Sequence, residues 1–175
     1  MESMPTARRG LGVAVVDSKI YALGGFTSNY LGTNEMYDPE TDTWTTKVSM
    51  PNPRCRFAIA VVENKIYVIG GANPNGFSSV NQVYDPATDT WTTGTAMPTP
   101  RQSLGVVVLN DTLYAIGGYQ TDSSPVYTSK NERYTPVGYT PEFPTWIPIL
   151  LVLGIVAVAV VIYKRKLCKN QGRRK

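Results

Sequence analysis

The chain has 175 residues, of which 42% are hydrophobic and 17% are charged, a balance that excludes a disordered tail and a highly charged scaffold. Histidine is absent and the two cysteines, Cys55 and Cys168, cannot hold a zinc ion alone, so we expect no metal site and no cofactor. Residues 164–175 hold seven of the 17 basic groups, which leaves ten basic and 13 acidic groups in the rest of the chain. The net charge of +4 therefore reflects a C-terminal tail, and we expect no nucleic-acid partner.

Three segments of similar sequence begin at Met4, Met50 and Met97, at offsets of 46 and 47 residues. Each contains Met-Pro, then an arginine, a tyrosine and a pair of glycines in the same order, and the first two share the stretch YDPxTDTW. A period of this length is a strong sign of a repeat architecture. We predict three repeats, over residues 4–49, 50–96 and 97–138, within a domain of residues 1–138.

Each repeat is predicted to form four short strands. The first is an apolar run, such as residues 11–16, that is typical of a strand buried on both faces. The second strand ends at the glycine pair, the third ends at Tyr-Asp-Pro, and the fourth carries Trp44 or Trp91. The third repeat has Tyr134-Thr135-Pro136 and no tryptophan after it, so we predict that its fourth strand is missing.

These residues resemble the kelch motif, from about residue 4 to residue 138. The resemblance implies an all-β fold in which each repeat is a four-stranded blade of a β-propeller around a channel. The chain would then be a partial propeller of three blades, with the last blade incomplete. Trp44 and Trp91 are expected to be largely buried. The resemblance assigns a structural role to the residues of the motif: Gly24, Gly25, Tyr37, Trp44, Gly70, Gly71, Tyr84, Trp91, Gly117, Gly118 and Tyr134.

Three blades cannot close a ring, since kelch propellers usually have about five to seven, and an apolar blade face would be left at each end. Two arrangements would cover these faces: further blades in a longer chain, or the association of two half-propellers. The N-terminal sequence MESMPTARRG has no apolar segment typical of a signal peptide. Together with the missing strand, this favours a fragment of a longer protein, whose total blade number stays open.

One face of the predicted domain has the features of a binding surface. Strand direction alternates within a blade, so the variable loops 26–33, 72–80 and 119–130 should lie on the same face as the loops between blades. The candidate binding residues on this face, for an acidic peptide or a glycan, are Arg8, Arg54, Arg101, Tyr30, Phe77, Tyr119 and Tyr127. The alternative for the three arginines, which recur at one position of the repeat, is that they brace neighbouring blades.

No catalytic constellation is recognisable in the sequence. The acids Asp38, Asp42, Asp85 and Asp89 fall in the predicted turns between the third and fourth strands, where aspartates usually form local hydrogen bonds. We therefore predict a non-catalytic binding or adhesion module. The alternative is the C-terminal part of a kelch-type carbohydrate-active enzyme whose catalytic residues lie in missing blades.

The C-terminal part of the sequence is typical of a membrane anchor. Residues 146–163 carry no charge and would span about 27 Å as a helix, near the lower limit for crossing a membrane. The basic cluster that follows should stay in the cytoplasm. We predict a proline-rich spacer over 139–145, a single transmembrane helix over 146–163 and a cytoplasmic tail over 164–175, with the propeller outside the cell. The alternative for the apolar run is a buried core helix.

The segment Pro141-Glu142-Phe143-Pro144, the apolar run and the basic cluster together resemble the PEF-type sorting signals of archaeal surface proteins. This resemblance implies that a sortase-like enzyme would process the anchor at an archaeal cell surface. The alternative is a retained anchor that follows an ordinary proline-rich spacer.

Overall fold

A computed structural model of the chain describes residues 1–120 and 126–136. All regular elements in these residues are β-strands, so the prediction of an all-β fold is confirmed for this part of the chain. No helix able to cross a membrane occurs among them. The predicted spacer at 139–145, transmembrane helix at 146–163 and tail at 164–175 lie outside the described residues.

The strands form three antiparallel sheets that correspond to the three repeats, and consecutive strands of each sheet are neighbours. Sheet 1 has four strands: β1 Gly12–Val16, β2 Lys19–Leu23, β3 Asn34–Asp38 and β4 Thr43–Lys47. Sheet 2 also has four, which are β5 Ala58–Val62, β6 Lys65–Ile69, β9 Asn81–Asp85 and β10 Thr90–Gly94, with a small hairpin of β7 Ala72–Asn73 and β8 Gly76–Phe77 in its long loop. Sheet 3 has three strands in the described residues, namely β11 Gly105–Leu109, β12 Thr112–Ile116 and β13 Asn131–Tyr134.

Two-residue turns fix the register between the first two strands of every sheet. Val16 pairs with Lys19 in sheet 1, and the same spacing recurs in the other two sheets. A two-residue hairpin loop of this kind needs positive φ at both central positions, which Asn and Asp tolerate better than most other non-glycine residues. The turn residues all have φ between 47° and 60°: Asp17, Ser18, Glu63, Asn64, Asn110 and Asp111.

The glycine pairs lie where neighbouring sheets approach most closely. Gly70 and Gly71 have φ of 71° and 98°, which side chains rarely adopt. A Cβ atom at Gly71 would lie 2.6 Å from the carbonyl oxygen of Cys55, and one at Gly70 would lie 2.7 Å from that of Arg101. The glycine pair therefore allows the end of β6 to contact the loops that enter sheets 2 and 3.

Two apolar clusters hold the sheets together. The first lies between sheets 1 and 2 and includes Leu23, Phe57, Val68 and Tyr84; the second lies between sheets 2 and 3. Trp44 and Trp91 are mostly buried, as predicted, although neither lies in the fully buried core. They stand on β4 and β10, which are edge strands of their sheets, and each ring packs on a tyrosine of the adjacent strand at a centroid distance of 5.1 or 5.0 Å.

The first strand of a sheet is not always buried on both faces. In β1, Val13 and Val15 are 54% and 60% exposed, and in β11, Val107 and Leu109 are 51% and 58% exposed. The corresponding residues of β5 are shielded, since sheet 2 has a neighbour on both sides. The prediction of two buried faces is therefore wrong for the first and third repeats.

Candidate functional site

The long loops and the loops between sheets meet on one face of the domain, as alternating strand directions predict. In the first repeat, Arg9 and Phe26 exchange two backbone hydrogen bonds of 3.1 and 2.8 Å outside the sheet. The equivalent isolated bridges in the other repeats join Cys55 to Ala72 and Gln102 to Tyr119. We refer to this surface, made of residues 9–10, 26–33, 55–56, 72–80, 102–103, 119–120 and 126–130, as the loop face.

Aromatic side chains on the loop face form two groups. Phe26 packs edge-on against Tyr30 at 5.1 Å between ring centroids, and the guanidinium of Arg9 lies 5.4 Å from the Phe26 centroid. Tyr119 contacts both Phe77 of the preceding repeat and Tyr127 of its own loop, at 5.6 and 6.0 Å. The structure therefore brings together Phe77, Tyr119 and Tyr127, which are three of the four aromatic residues predicted to bind a ligand. Tyr127 is 80% exposed and offers a ring to a ligand.

The side chains of Arg8, Arg54 and Arg101 do not lie on the surface, as a role in ligand binding would require. Their side chains are fully buried, and each guanidinium donates to a carbonyl of the second strand of its own sheet, at Ala22, Val68 or Ala115. The backbone carbonyls of Arg54 and Arg101 accept hydrogen bonds from Gly25 and Gly71 of the preceding repeat, both at 2.9 Å. This geometry fits the bracing alternative, and none of the three guanidinium groups is exposed for a ligand.

Each buried arginine has a partner on the third strand that sequence reasoning missed. Arg8 is paired with Glu35 at 2.5 Å and Arg101 with Glu132 at 3.0 Å. The signal was present in the repeats, because Asn-Glu, Asn-Gln and Asn-Glu begin the three third strands. Aligning these strands would have shown an acid or amide at one fixed position in every repeat.

The second repeat is the exception, because Gln82 replaces the carboxylate. Arg54 donates to the side-chain oxygen of Gln82, and its Nε atom has no hydrogen-bond partner in the described part of the chain. Burial without a countercharge lowers the pKa of Arg54 to about 10. Sheet 2 therefore holds a buried cation that only neutral groups stabilise.

A pocket of about 210 Å³ opens on the loop face between the first two repeats. Its rim carries the exposed residues Arg9 and Arg56, and Phe26 and Tyr30 form one wall. Gln102 reaches it from the third repeat; this side chain is 3% exposed, and its Oε1 atom has no hydrogen-bond partner in residues 1–120 and 126–136. The pocket thus offers two cations and an aromatic wall to a ligand.

Sequence reasoning missed the arginines of this pocket. Arg9 and Arg56 follow the repeated arginine by one and two positions and do not recur in the third repeat. Arg56 has φ of 53°, and the equivalent residues Gly10 and Ser103 have 63° and 53°. A non-glycine residue in this conformation is uncommon, and here it directs a charged side chain to the loop face.

The acids of the turns between the third and fourth strands are engaged in structural contacts. Asp42 and Asp89 each accept a hydrogen bond from a tyrosine of the third strand, Tyr37 or Tyr84, at 2.6 and 2.7 Å. Asp38 forms an ion pair with Lys19 at 2.7 Å. No group of three potential metal ligands occurs in the part of the chain that the structure describes.

Comparison with known proteins relates this architecture to one family. A family model described as the KLHDC2/KLHL20/DRC7 Kelch-repeats domain matches residues 1–135. Beta-scruin of Limulus polyphemus is 44% identical over 48 residues, which are 26% of this chain and 5% of that protein. Kelch-like protein terF of Aspergillus terreus is 48% identical over 48 residues, which are 24% of this chain and 10% of that protein. The chain therefore spans a small part of either relative, and because the family match covers most of its own residues, it belongs to the kelch-repeat family.

Proposed function

We propose that this chain is a non-catalytic binding module that recognises an acidic peptide segment of a partner protein through the loop face. The observation that carries this proposal is the pocket at Arg9 and Arg56, where two exposed cations border a wall of aromatic side chains. Kelch repeats are a family of protein-binding modules, which agrees with such a role.

The chemistry of the pocket favours a peptide that carries a carboxylate. The planar guanidinium of arginine gives two parallel hydrogen bonds to a carboxylate, and it is the residue that most often serves this purpose. Phe26 and Tyr30 add an apolar wall, and the exposed ring of Tyr127 lies on the same face.

The proposal is tested by panning a random-peptide display library on the full chain in detergent micelles. A variant with Arg9→Ala and Arg56→Ala is panned in parallel, and Arg133→Ala, which changes an exposed arginine of β13 outside this pocket, is the control. We expect enrichment of peptides rich in Asp and Glu on the wild type and on the control, and loss of this enrichment on the double variant. Equal enrichment on all three proteins would contradict the proposal. Enrichment of neutral peptides, or binding of glycans alone on a glycan array, would also contradict it.

We further propose that residues 146–163 anchor the module in a membrane, with the loop face outside the cell and residues 164–175 in the cytoplasm. The support is the uncharged 18-residue run and the basic cluster that follows it. An epitope tag placed at the N-terminus should be removed by protease added to intact cells, whereas a tag at the C-terminus should be protected. The reverse pattern would refute this topology, and release of the tagged chain by a carbonate wash would refute the anchor. Detection of a shortened chain cut after residues 141–144 would favour the sorting signal over a retained anchor.

A further inference from the structure

The two outer sheets leave one face uncovered at each end of the described domain. On sheet 1 this face carries Val13 and Val15 of β1; we call it the entry face. On sheet 3 it carries Gly105, Val107 and Leu109 of β11; we call it the exit face. Four of these five residues are apolar side chains at least half exposed, which is unusual for a contiguous strand surface.

The internal contact between sheets 1 and 2 shows what each face normally packs against. Ile59 and Val61 of β5 pack into the cluster beneath Ala14 and Val16 of β1. Gly12 lies so close to sheet 2 that a Cβ atom there would be 3.1 Å from the end of the Ile59 side chain. One side of β5 therefore inserts against the opposite side of β1.

The entry and exit faces repeat these two sides. By the repeat offsets of 46 and 47 residues, Val13 and Val15 occupy the positions of Ile59 and Val61. By the same offsets, Gly105, Val107 and Leu109 occupy the positions of Gly12, Ala14 and Val16. The chain thus carries at one end the surface that inserts, and at the other end the surface that receives it.

Backbone hydrogen bonds between neighbouring repeats form a regular series that stops at the two ends of the described domain. The N–H of Gly25 donates to the backbone carbonyl of Arg54, and the N–H of Gly71 donates to that of Arg101, both at 2.9 Å. The third member of this series needs the N–H of Gly118 as donor and the carbonyl of Arg8 as acceptor. Neither group has a backbone partner within the described ranges.

A second series runs through the loops between sheets and is incomplete in the same way. Arg56 donates its N–H to Gly10 at 2.9 Å, and Ser103 donates its N–H to Arg56 at 2.8 Å. The next bond of this series would join the Gly10 N–H to the Ser103 carbonyl. All the groups needed to continue both series are therefore present at the two ends of one chain.

We propose that copies of this chain associate head to tail, with the entry face of one copy packed on the exit face of the next. In this contact Val13 of one copy lies against Gly105 of the other, and Gly118 donates its N–H to Arg8 of the other copy. The interface is heterologous, because different surfaces of the two copies meet. The partner is a second copy because the complementary surface of each end is the other end of the same chain. The contact needs no peptide ligand, so it can be tested independently of binding at the pocket.

Complementation between two defective variants tests the proposal. Val13→Asp places a charge on the entry face and Val107→Asp places one on the exit face, while Thr45→Asp on the exposed edge strand β4 is the control. The full chain in detergent micelles should have the protein mass of two or more copies by light scattering. Each valine variant alone should have the mass of one copy, and Thr45→Asp should behave as the wild type. An equimolar mixture of the two valine variants should regain dimers, because each contributes one intact face.

The outcomes separate this arrangement from others. A symmetric contact between two entry faces would be disrupted by Val13→Asp alone and would not be restored by mixing. Association through the C-terminal residues would survive both valine substitutions. A wild-type chain that keeps the mass of a single copy over a hundredfold range of concentration would overturn the proposal. That result is expected if only further blades of a longer chain can cover the two faces.

Cross-linking provides a second measurement that does not depend on how far the aspartate variants fold. In a background of Cys55→Ala and Cys168→Ser, the variants Val13→Cys and Gly105→Cys are treated with a short bifunctional maleimide. A dimer should form when the two variants are mixed and should be absent when either is treated alone. Cross-linking of Val13→Cys with itself, or no cross-linking in the mixture, would refute the proposed contact.

Discussion

Asp89 accepts a 2.7 Å hydrogen bond from the hydroxyl of Tyr84, and the same carboxylate oxygen accepts the backbone N–H of Val48 at 2.9 Å. Tyr84 belongs to sheet 2, whereas Val48 follows the last strand of sheet 1. Val48 also accepts, through its carbonyl, a 2.8 Å hydrogen bond from the indole of Trp91. One turn aspartate and one tryptophan therefore attach the outer edge of sheet 1 to sheet 2.

This relationship predicts a dependence of stability on pH. The hydrogen bond from Tyr84 holds the pKa of Asp89 below its ordinary value of 3.8. A carboxylate whose pKa is lowered in the folded state stabilises it above the ordinary pKa, and this contribution is lost as the pH falls through the lower, native value. We expect Asp89→Asn to lower the free energy of unfolding at pH 7 and to change it little at pH 2 to 3, as measured by urea unfolding. Glu40→Gln, which changes an exposed carboxylate in the first repeat, is the control, and an equal loss for Asp89→Asn at both pH values would contradict the prediction.

The repeats and their turns were predictable because they depend on local chemistry. The two-residue turns need residues that tolerate positive φ, and the third strands end where proline cannot continue the ladder, so both can be recognised without tertiary information. The exposure of Val13 depends on which surfaces have neighbours. That information is not contained in one repeat; only the count of three repeats indicated that an apolar face would be left at each end.

The candidate site was predictable to a smaller extent. The loop face and its aromatic residues follow from the topology. The candidate cations predicted for this face were Arg54 and its two equivalents, which recur in every repeat. Recurrence at one position is what a structural role within each sheet requires, and the structure buries these groups. The exposed cations, Arg9 and Arg56, are irregular between repeats, and only the folded loops show that they border one pocket.

The uncompensated charge of Arg54 leads to a prediction on stability. Gln82→Glu places a carboxylate at the position that Glu35 and Glu132 occupy in the other sheets. We expect a gain of roughly 1 kcal/mol, because the countercharge replaces a neutral partner but the new carboxylate must itself be desolvated. This gain corresponds to an increase in Tm of about 4 °C by calorimetry. Glu35→Gln is the matched reverse change and should lower Tm, and a lower Tm for Gln82→Glu would refute the argument.

The separation of structural and binding arginines predicts opposite effects of two alanine substitutions. Arg101→Ala removes side-chain hydrogen bonds to three carbonyls and leaves Glu132 without its partner, so Tm should fall by several degrees while the affinity of the folded fraction is unchanged. Arg56→Ala removes an exposed group and should leave Tm within about 2 °C but weaken binding of a selected acidic peptide roughly tenfold. Fluorescence anisotropy and calorimetry on the same samples distinguish the two roles. Loss of stability in Arg56→Ala with unchanged affinity would reverse the assignment.

The glycines of the second repeat allow backbone conformation to be separated from close packing. Gly71 and Gly76 have similar φ values of 98° and 107°, so alanine at either position meets a comparable conformational penalty of about 1 to 2 kcal/mol. A Cβ atom at Gly76 has nothing within 4 Å, whereas one at Gly71 would lie 2.6 Å from the Cys55 carbonyl and 2.9 Å from the Phe57 side chain. Gly71→Ala must therefore also displace the loop that joins sheets 1 and 2, and it should cost at least about 2 kcal/mol more than Gly76→Ala. Urea unfolding of the two variants measures this difference directly. Equal losses would show that the loop relaxes without cost, and the close approach at the glycine pair would then not limit how the sheets pack.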